Sequence, residues 1–310
     1  MVSIIDNKFA TKSARVKAIA FHSSEPLYAT ALHNGTVEIW NTKTETIVKT
    51  LAVSKLPLRA IKFVPQTAWL VVGGDDLKIH VLDVETGDQI TEYTAHQDYI
   101  RSFSLHPTKP LLLSASDDKT VKLWDWNDGW KNVQTFTGHS HYIMQAAFHP
   151  KDPAVFATAS LDSTVRLWSL ASGACTAELR GHTRGVNCVE FCEGGARLLS
   201  GSDDATIRVW DVASGVCVQT VTGAHEGNVC SVKSLEGLGL VVSGGEDERV
   251  VVFDGESLAV KQTLDLGLKR VWYADVAESG KEVGFGCDEG AVIVGFSKAV
   301  KGKGSLTANL

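Results

Sequence analysis

The sequence predicts an all-β protein: a seven-bladed β-propeller whose ring is closed by an N-terminal strand. Three observations predict it. First, one short pattern recurs along the chain as "GTVEIWN", "LKIHVLD", "KTVKLWD", "STVRLWS", "ATIRVWD", "ERVVVFD" and a degenerate "GAVIVGF". Second, the slot residues Trp40, Leu82, Trp124, Trp168, Trp210, Phe253 and Gly295 lie 42 to 44 residues apart by subtraction. That spacing is the period of a four-stranded blade. Third, each copy alternates apolar and polar residues, as in Val121, Lys122, Leu123 and Trp124, and period two is the mark of a strand.

Each blade is built in the same order. A Gly-His or Ala-His pair, at His96, His139, His182 and His225, stands 28 or 29 residues before its slot. A strand such as "YIRSFSLHP" follows, then one such as "PLLLSAS", then the slot strand. Seven slots imply seven blades. The seventh has no good strand after Gly295, and the N-terminal "SIIDNKF" is a spare strand that fits there. Closing the ring removes exposed sheet edges. Residues 1–299 are thus expected to form one propeller. Residues 300–310 read as a frayed tail leading into a longer chain.

Composition narrows the function. The chain has 310 residues, 44% hydrophobic and 21% charged, so it can bury a sizeable core. A net charge of -6 argues against nucleic-acid binding. The six cysteines show no zinc spacing and read as reduced thiols of a cytosolic protein. The N-terminus lacks the apolar run of a signal peptide, and no window is long enough to span a bilayer. Membrane association is therefore expected to be peripheral.

The Gly-His, the turn Asp and the Trp-Asp recur together at fixed offsets, and in this the chain resembles the WD40 family over essentially its whole length. Six residues before the slots stand Asn34, Asp76, Asp118, Asp162, Asp204, Asp247 and Glu289. The resemblance implies a hydrogen-bonded network in each blade. In blade three it would join His96, Ser114 or Ser116, Asp118 and Trp124. In later blades it would join His139, Asp162 and Trp168, then His182, Asp204 and Trp210, then His225 and Asp247. Repetition once per blade argues against a catalytic His/Asp pair. No enzyme, cofactor or metal is expected.

Seven residues before the slots stand His33, Asp75, Asp117, Leu161, Asp203, Glu246 and Asp288. This slot varies more, and is expected to lie on the open rim of the central channel. A second rim slot follows from the innermost strands: Lys17, Arg59, Arg101, Met144, Asn187, Cys230 and Trp272. The residues two earlier include Arg15, Tyr99, Tyr142 and Arg270. Basic residues gather in blades seven, one, two and three, contiguous once the ring closes. Such an arc suits a carboxylate or phosphate, while Asp98 and Asp117 suit a cation. A peptide ending in a carboxylate, with a lysine just upstream, meets both demands.

Several stretches go further, among them "RVKAIAFHSSEPLYATALHNGTVEIWN", "AHQDYIRSFSLHPTKPLLLSASDDKTVKLWDW" and "GLKRVWYADVA". They resemble the first propeller of the coatomer subunit family, in its beta-prime branch, with the alpha branch as the sister match. The resemblance implies recognition of C-terminal dilysine peptides of membrane cargo for Golgi-to-ER retrieval. It implies a cytoplasmic protein, peripheral on Golgi membranes and transport vesicles, whose partners include other coatomer subunits. Arg15, Lys17 and Arg59 would hold the cargo carboxylate. Asp98 and Asp117 would take its lysine. His33, Tyr99, Arg101, Tyr142 and Arg270 would support the rim, and Asp203 and Glu246 would meet a second lysine. The alternative is a WD40 scaffold for protein assembly with no dilysine preference.

Overall fold

The computed structural model describes residues 5–297, with side chains from Lys8 onward. The expected tail, 300–310, lies outside the described residues. Seven four-stranded antiparallel sheets form the blades. Six are built from consecutive strands. The seventh joins Val271–Val276, Glu282–Cys287 and Gly290–Phe296 to the N-terminal strand Ile5–Lys12. That strand runs antiparallel to Gly290–Phe296, with Lys8 opposite Val294 and Lys12 opposite Gly290. Chain start and chain end thus close one ring.

The core is a ring of seven apolar clusters, one at each blade interface. Between blades two and three, Ala60, Val71 and Ile79 meet Ile100, Phe103 and Trp124. Across the closing seam, Val16, Tyr28 and Trp40 meet Ala291 and Ile293. Each buried large aliphatic contributes about 1.5–3 kcal/mol. One slot on the second strand of each blade must stay small: Ala31, Gly73, Ala115, Ala159, Gly201, Gly244 and Gly286. At Gly201 a Cβ would sit 2.6 Å from Val229 Cγ1 of the next blade, closer than packing allows.

The blade network is complete in blades three, four and five. In blade three, Trp124 Nε1 donates to Ser114 Oγ at 2.8 Å. Ser114 Oγ lies 2.7 Å from His96 Nε2, and His96 Nδ1 lies 2.8 Å from Asp118 Oδ2. The serine receives the indole proton, so its own proton goes to Nε2, and the neutral imidazole donates from Nδ1 to the carboxylate. Ser114 therefore fills the place left open between Ser114 and Ser116. Ser116 instead bonds the Asp98 carbonyl and the Asp118 N–H. His139, Asp162, Thr158 and Trp168 repeat the chain, as do His182, Asp204, Ser200 and Trp210. In blade six His225 joins Asp247 and Ser243, and the slot holds Phe253.

Two devices had no motif to announce them. In blade two, His80 within the slot strand bonds Asp76 at 2.8 Å, replacing the missing upstream histidine. On the opposite rim, His106 Nδ1 accepts from the Thr108 and Lys109 N–H groups, and its ring packs against Phe148 of the next blade. His22 and His149 do the same against Phe63 and Phe191.

The network sets how stability depends on pH. Burial holds His96 and His182 below the ordinary 6.5, against the pull of their aspartates. Burial alone would raise Asp204, but hydrogen bonds from Thr206, the Thr183 N–H and His182 bring it down to about 2. A histidine that is harder to protonate folded than unfolded loses stability as pH falls below the unfolded value. The aspartates add their loss later, as pH falls from 3.8 toward their folded values. In blade two burial is outweighed by Asp76, which raises His80 and opposes this trend. With two network histidines lowered against one raised, the urea midpoint is expected to fall between pH 7.5 and pH 5, and identical midpoints would contradict this.

Candidate functional site at the channel mouth

Each innermost strand carries a β-bulge one residue after its first apolar position. The register of the inner pair skips Lys17, Arg59, Arg101, Met144, Asn187, Cys230 and Trp272 in turn. A bulge re-aims the side chain it carries, and all seven line one cavity of about 210 Å³. Above each bulge, a backbone bond repeats seven times. The N–H of the residue seven before the slot donates to the carbonyl just ahead of the inner strand. It runs from His33 to Arg15, from Asp117 to Tyr99 and from Asp288 to Arg270, with lengths of 2.8 to 3.2 Å around the ring.

The two slots therefore face each other within each blade. Arg59 forms a bidentate pair with Asp75, its Nη2 at 2.8 Å from Oδ2. Arg101 does the same with Asp117, its Nε at 2.7 Å from Oδ1. Asn187 donates to Asp203 at 2.7 Å, and the Trp272 indole to Asp288 at 2.8 Å. In blade four both partners are apolar, Met144 and Leu161.

Asp117 is thereby corrected. It was expected on the open rim, and instead it is 3% exposed beneath the Arg101 guanidinium. Two cations of the basic arc, Arg59 and Arg101, are each paired with an aspartate of their own blade.

Two blades break the pairing. In blade one the bulge residue Lys17 faces His33. In blade six Cys230 faces Glu246, which is half-buried and makes no ion pair among the described residues. Lys17 likewise pairs with no carboxylate among the described residues. Its ammonium lies 3.1 Å from the centroid of the Trp272 ring. Burial, then Arg59 and Arg15, pull it down to about 7 from 10.5. Exposed His33 is held below its ordinary value by burial and by Arg15, Lys17 and Arg59. Its neutral form is favoured beside so many cations.

Arg15 Nε lies 2.7 Å from Asp288 Oδ1, but at an angle that makes no hydrogen bond. Exposed Arg270 sits with its guanidinium 5.9 Å from the Trp272 ring. Tyr99 is 39% exposed between Arg59 and Arg101, which lie 5.5 and 5.9 Å from its ring. Beside it, half-buried Asp98 accepts the Tyr99 N–H at 2.8 Å and forms no ion pair among the described residues. Half-buried Tyr142 packs edge-on against His141.

The mouth therefore holds a lysine without a carboxylate at the seam of blades seven and one, Asp98 two blades on and Glu246 two blades back, neither carboxylate in an ion pair among the described residues. The mouth thus presents cationic and anionic groups on different blades, the arrangement that complements a ligand bearing both charges. Trp272, at the centre of three cations, was the residue sequence reasoning did not select. Its place in the bulge slot was the available signal. Among the described residues, no cluster of three or more His, Cys, Asp or Glu could hold a metal ion, and no helix is long and apolar enough to cross a membrane.

Known proteins place these features in context. A family model described as a WD domain, G-beta repeat, matches residues 7–41. A β-propeller model described as Nucleolar protein 10-like, N-terminal domain, matches residues 55–259. "Coatomer subunit beta'" of Rattus norvegicus is 41% identical over 292 residues, covering 94% of this chain and 32% of the relative. "Probable coatomer subunit beta'" of Caenorhabditis elegans is 42% identical over 290 residues, covering 93% and 29%. The chain thus spans about a third of the length of the curated relatives it matches. From its repeats, its seven blades and these matches, the chain belongs to the WD40-repeat family of β-propellers.

Proposed function

We propose that this chain is the WD40 domain of a vesicle-coat (coatomer) subunit, and that its channel mouth binds C-terminal dilysine signals of membrane cargo for Golgi-to-ER retrieval. It acts from the cytoplasm, peripheral on Golgi membranes and transport vesicles. It joins other coatomer subunits mainly through regions beyond this sequence. Its role is binding, without catalysis. The observation that carries the proposal is the isolation of Lys17: a half-buried ammonium beside Arg59 and Arg15, with no carboxylate of its own among the described residues. Such a group is electrostatically unfavourable until an anion arrives.

In this reading Arg15, Lys17 and Arg59 cradle the terminal carboxylate. Asp98 takes the cargo lysine. Asp117 joins it only if Arg101 swings away, so Arg101 competes with the incoming ammonium. Glu246, with Asp203 beside it, is placed for a second lysine further upstream. His33, Tyr99, Tyr142 and Arg270 shape the walls. Charge-assisted bonds of about 1.5–3 kcal/mol each, reduced by exposure, give an affinity on the order of micromolar. That strength suits reversible sorting by a multivalent coat.

A pH series tests the reading. Lys17 is lowered to about 7 in the free chain, and a bound carboxylate raises it again, so binding takes up a proton above that pH. Affinity for a peptide ending in a free-carboxylate dilysine signal is expected to weaken as pH rises from 6.5 to 8.5. An affinity that is flat over this range would remove Lys17 from the cradle.

A further inference from the structure

Trp272 is the one aromatic residue among the seven bulge positions. It belongs to blade seven, while Lys17 and Arg15 beside it belong to blade one, across the seam closed by the strand Ile5–Lys12. The Lys17 ammonium lies 3.1 Å from its ring centroid and the Arg15 guanidinium 5.7 Å. Its Nε1–H donates to Asp288 Oδ1 at 2.8 Å. The same oxygen lies 2.7 Å from Arg15 Nε, which makes no aligned hydrogen bond. One side chain thus sets the place of two others.

The chemistry explains why it is needed. A lysine stem has four rotatable bonds, and an ammonium with no carboxylate partner has nothing to fix it. The face of an indole is electronegative and attracts a cation lying over it. In every other blade with a cationic bulge residue, an aspartate in the facing slot does this work. Blade one has His33 there, so Lys17 is held from the side by its neighbour. An aromatic face orients the ammonium without neutralising it, which leaves its charge for a ligand. Trp272 is half-buried and lines the cavity, outside the interblade clusters.

We propose that Trp272 is the positioning residue of the carboxylate cradle: its ring holds Lys17 over the channel mouth and its N–H ties Asp288, and with it Arg15, to the same point. The proposal rests on the carboxylate reading above. Its test has two independent arms. In the free chain, the Lys17 ε-methylene protons are expected to show an upfield ring-current shift by NMR. The shift persists in Trp272→Phe and vanishes in Trp272→Leu. No shift in the parent chain would overturn the proposal without any ligand being involved.

The second arm is a double-mutant cycle in titrations with a dilysine peptide bearing a free carboxylate. Trp272→Leu is expected to weaken binding about tenfold in the parent chain, and less than twofold in a Lys17→Met background. Trp272→Phe is expected to recover most of the loss. Equal losses in both backgrounds would show that Trp272 does not act through Lys17, and would overturn the proposal. If the parent chain binds free and amidated peptides equally, the carboxylate reading falls instead, and the ring-current shift alone then decides whether Trp272 places Lys17.

Discussion

Lys17→Met is expected to weaken binding of a free-carboxylate dilysine peptide by about tenfold to a hundredfold, while leaving the amidated peptide nearly unchanged. Lys17 is the one basic bulge residue with no facing aspartate, so its charge is available to a ligand. A charge-assisted hydrogen bond contributes about 1.5–3 kcal/mol, and 1.4 kcal/mol is a factor of ten. The fold should not suffer, because the side chain lies in the cavity and removing it relieves repulsion from Arg15 and Arg59. Arg59→Met is expected to do less to the peptide and more to the fold, since it strands the half-buried Asp75 carboxylate. Comparable peptide losses at Lys17 and at Arg101 would contradict the distinction between free and paired cations.

Asp118→Ala is expected to cost about 3 kcal/mol of stability in urea unfolding. The carboxylate receives the His96 Nδ1–H, the Gln97 N–H, the Thr120 N–H and the Thr120 hydroxyl. Truncation strands the imidazole donor, whose side chain is 0% exposed. It also uncaps a turn in which Lys119 sits at φ 68°, a conformation that L-residues adopt only with support. Each stranded donor costs about 1–3 kcal/mol, and part of the loss returns where water reaches the turn. Asp117→Ala is expected to cost less, because its partner Arg101 is 19% exposed and finds water. A loss below 1 kcal/mol for Asp118→Ala, or a larger loss for Asp117→Ala, would contradict the assignment.

The fold was legible because a propeller repeats one set of local demands seven times. The slot spacing, the turn aspartates and the spare N-terminal strand each carried meaning once the period was seen. The small-residue slot that runs from Ala31 to Gly286 was in plain view too, but only packing explains it. The site was legible as two rings of positions and no further. Nothing in the one-dimensional pattern shows that a bulge turns residue 101 toward residue 117, so Asp117 read as an open carboxylate. The same missing link hid what sets Lys17 apart from Arg59, although both were selected: it is the basic bulge residue facing a histidine. Trp272 was passed over because it interrupts a run of cations, yet the cations stack on it.

The mouth is expected to read a terminal carboxylate together with a nearby lysine. Calorimetric titration of the unmodified chain, with two dilysine peptides that differ only at the C-terminus, tests it most directly. The free-carboxylate peptide is expected to bind with an affinity on the order of micromolar, and its amidated twin at least tenfold more weakly. Equal affinities, or no binding of either peptide, would contradict it.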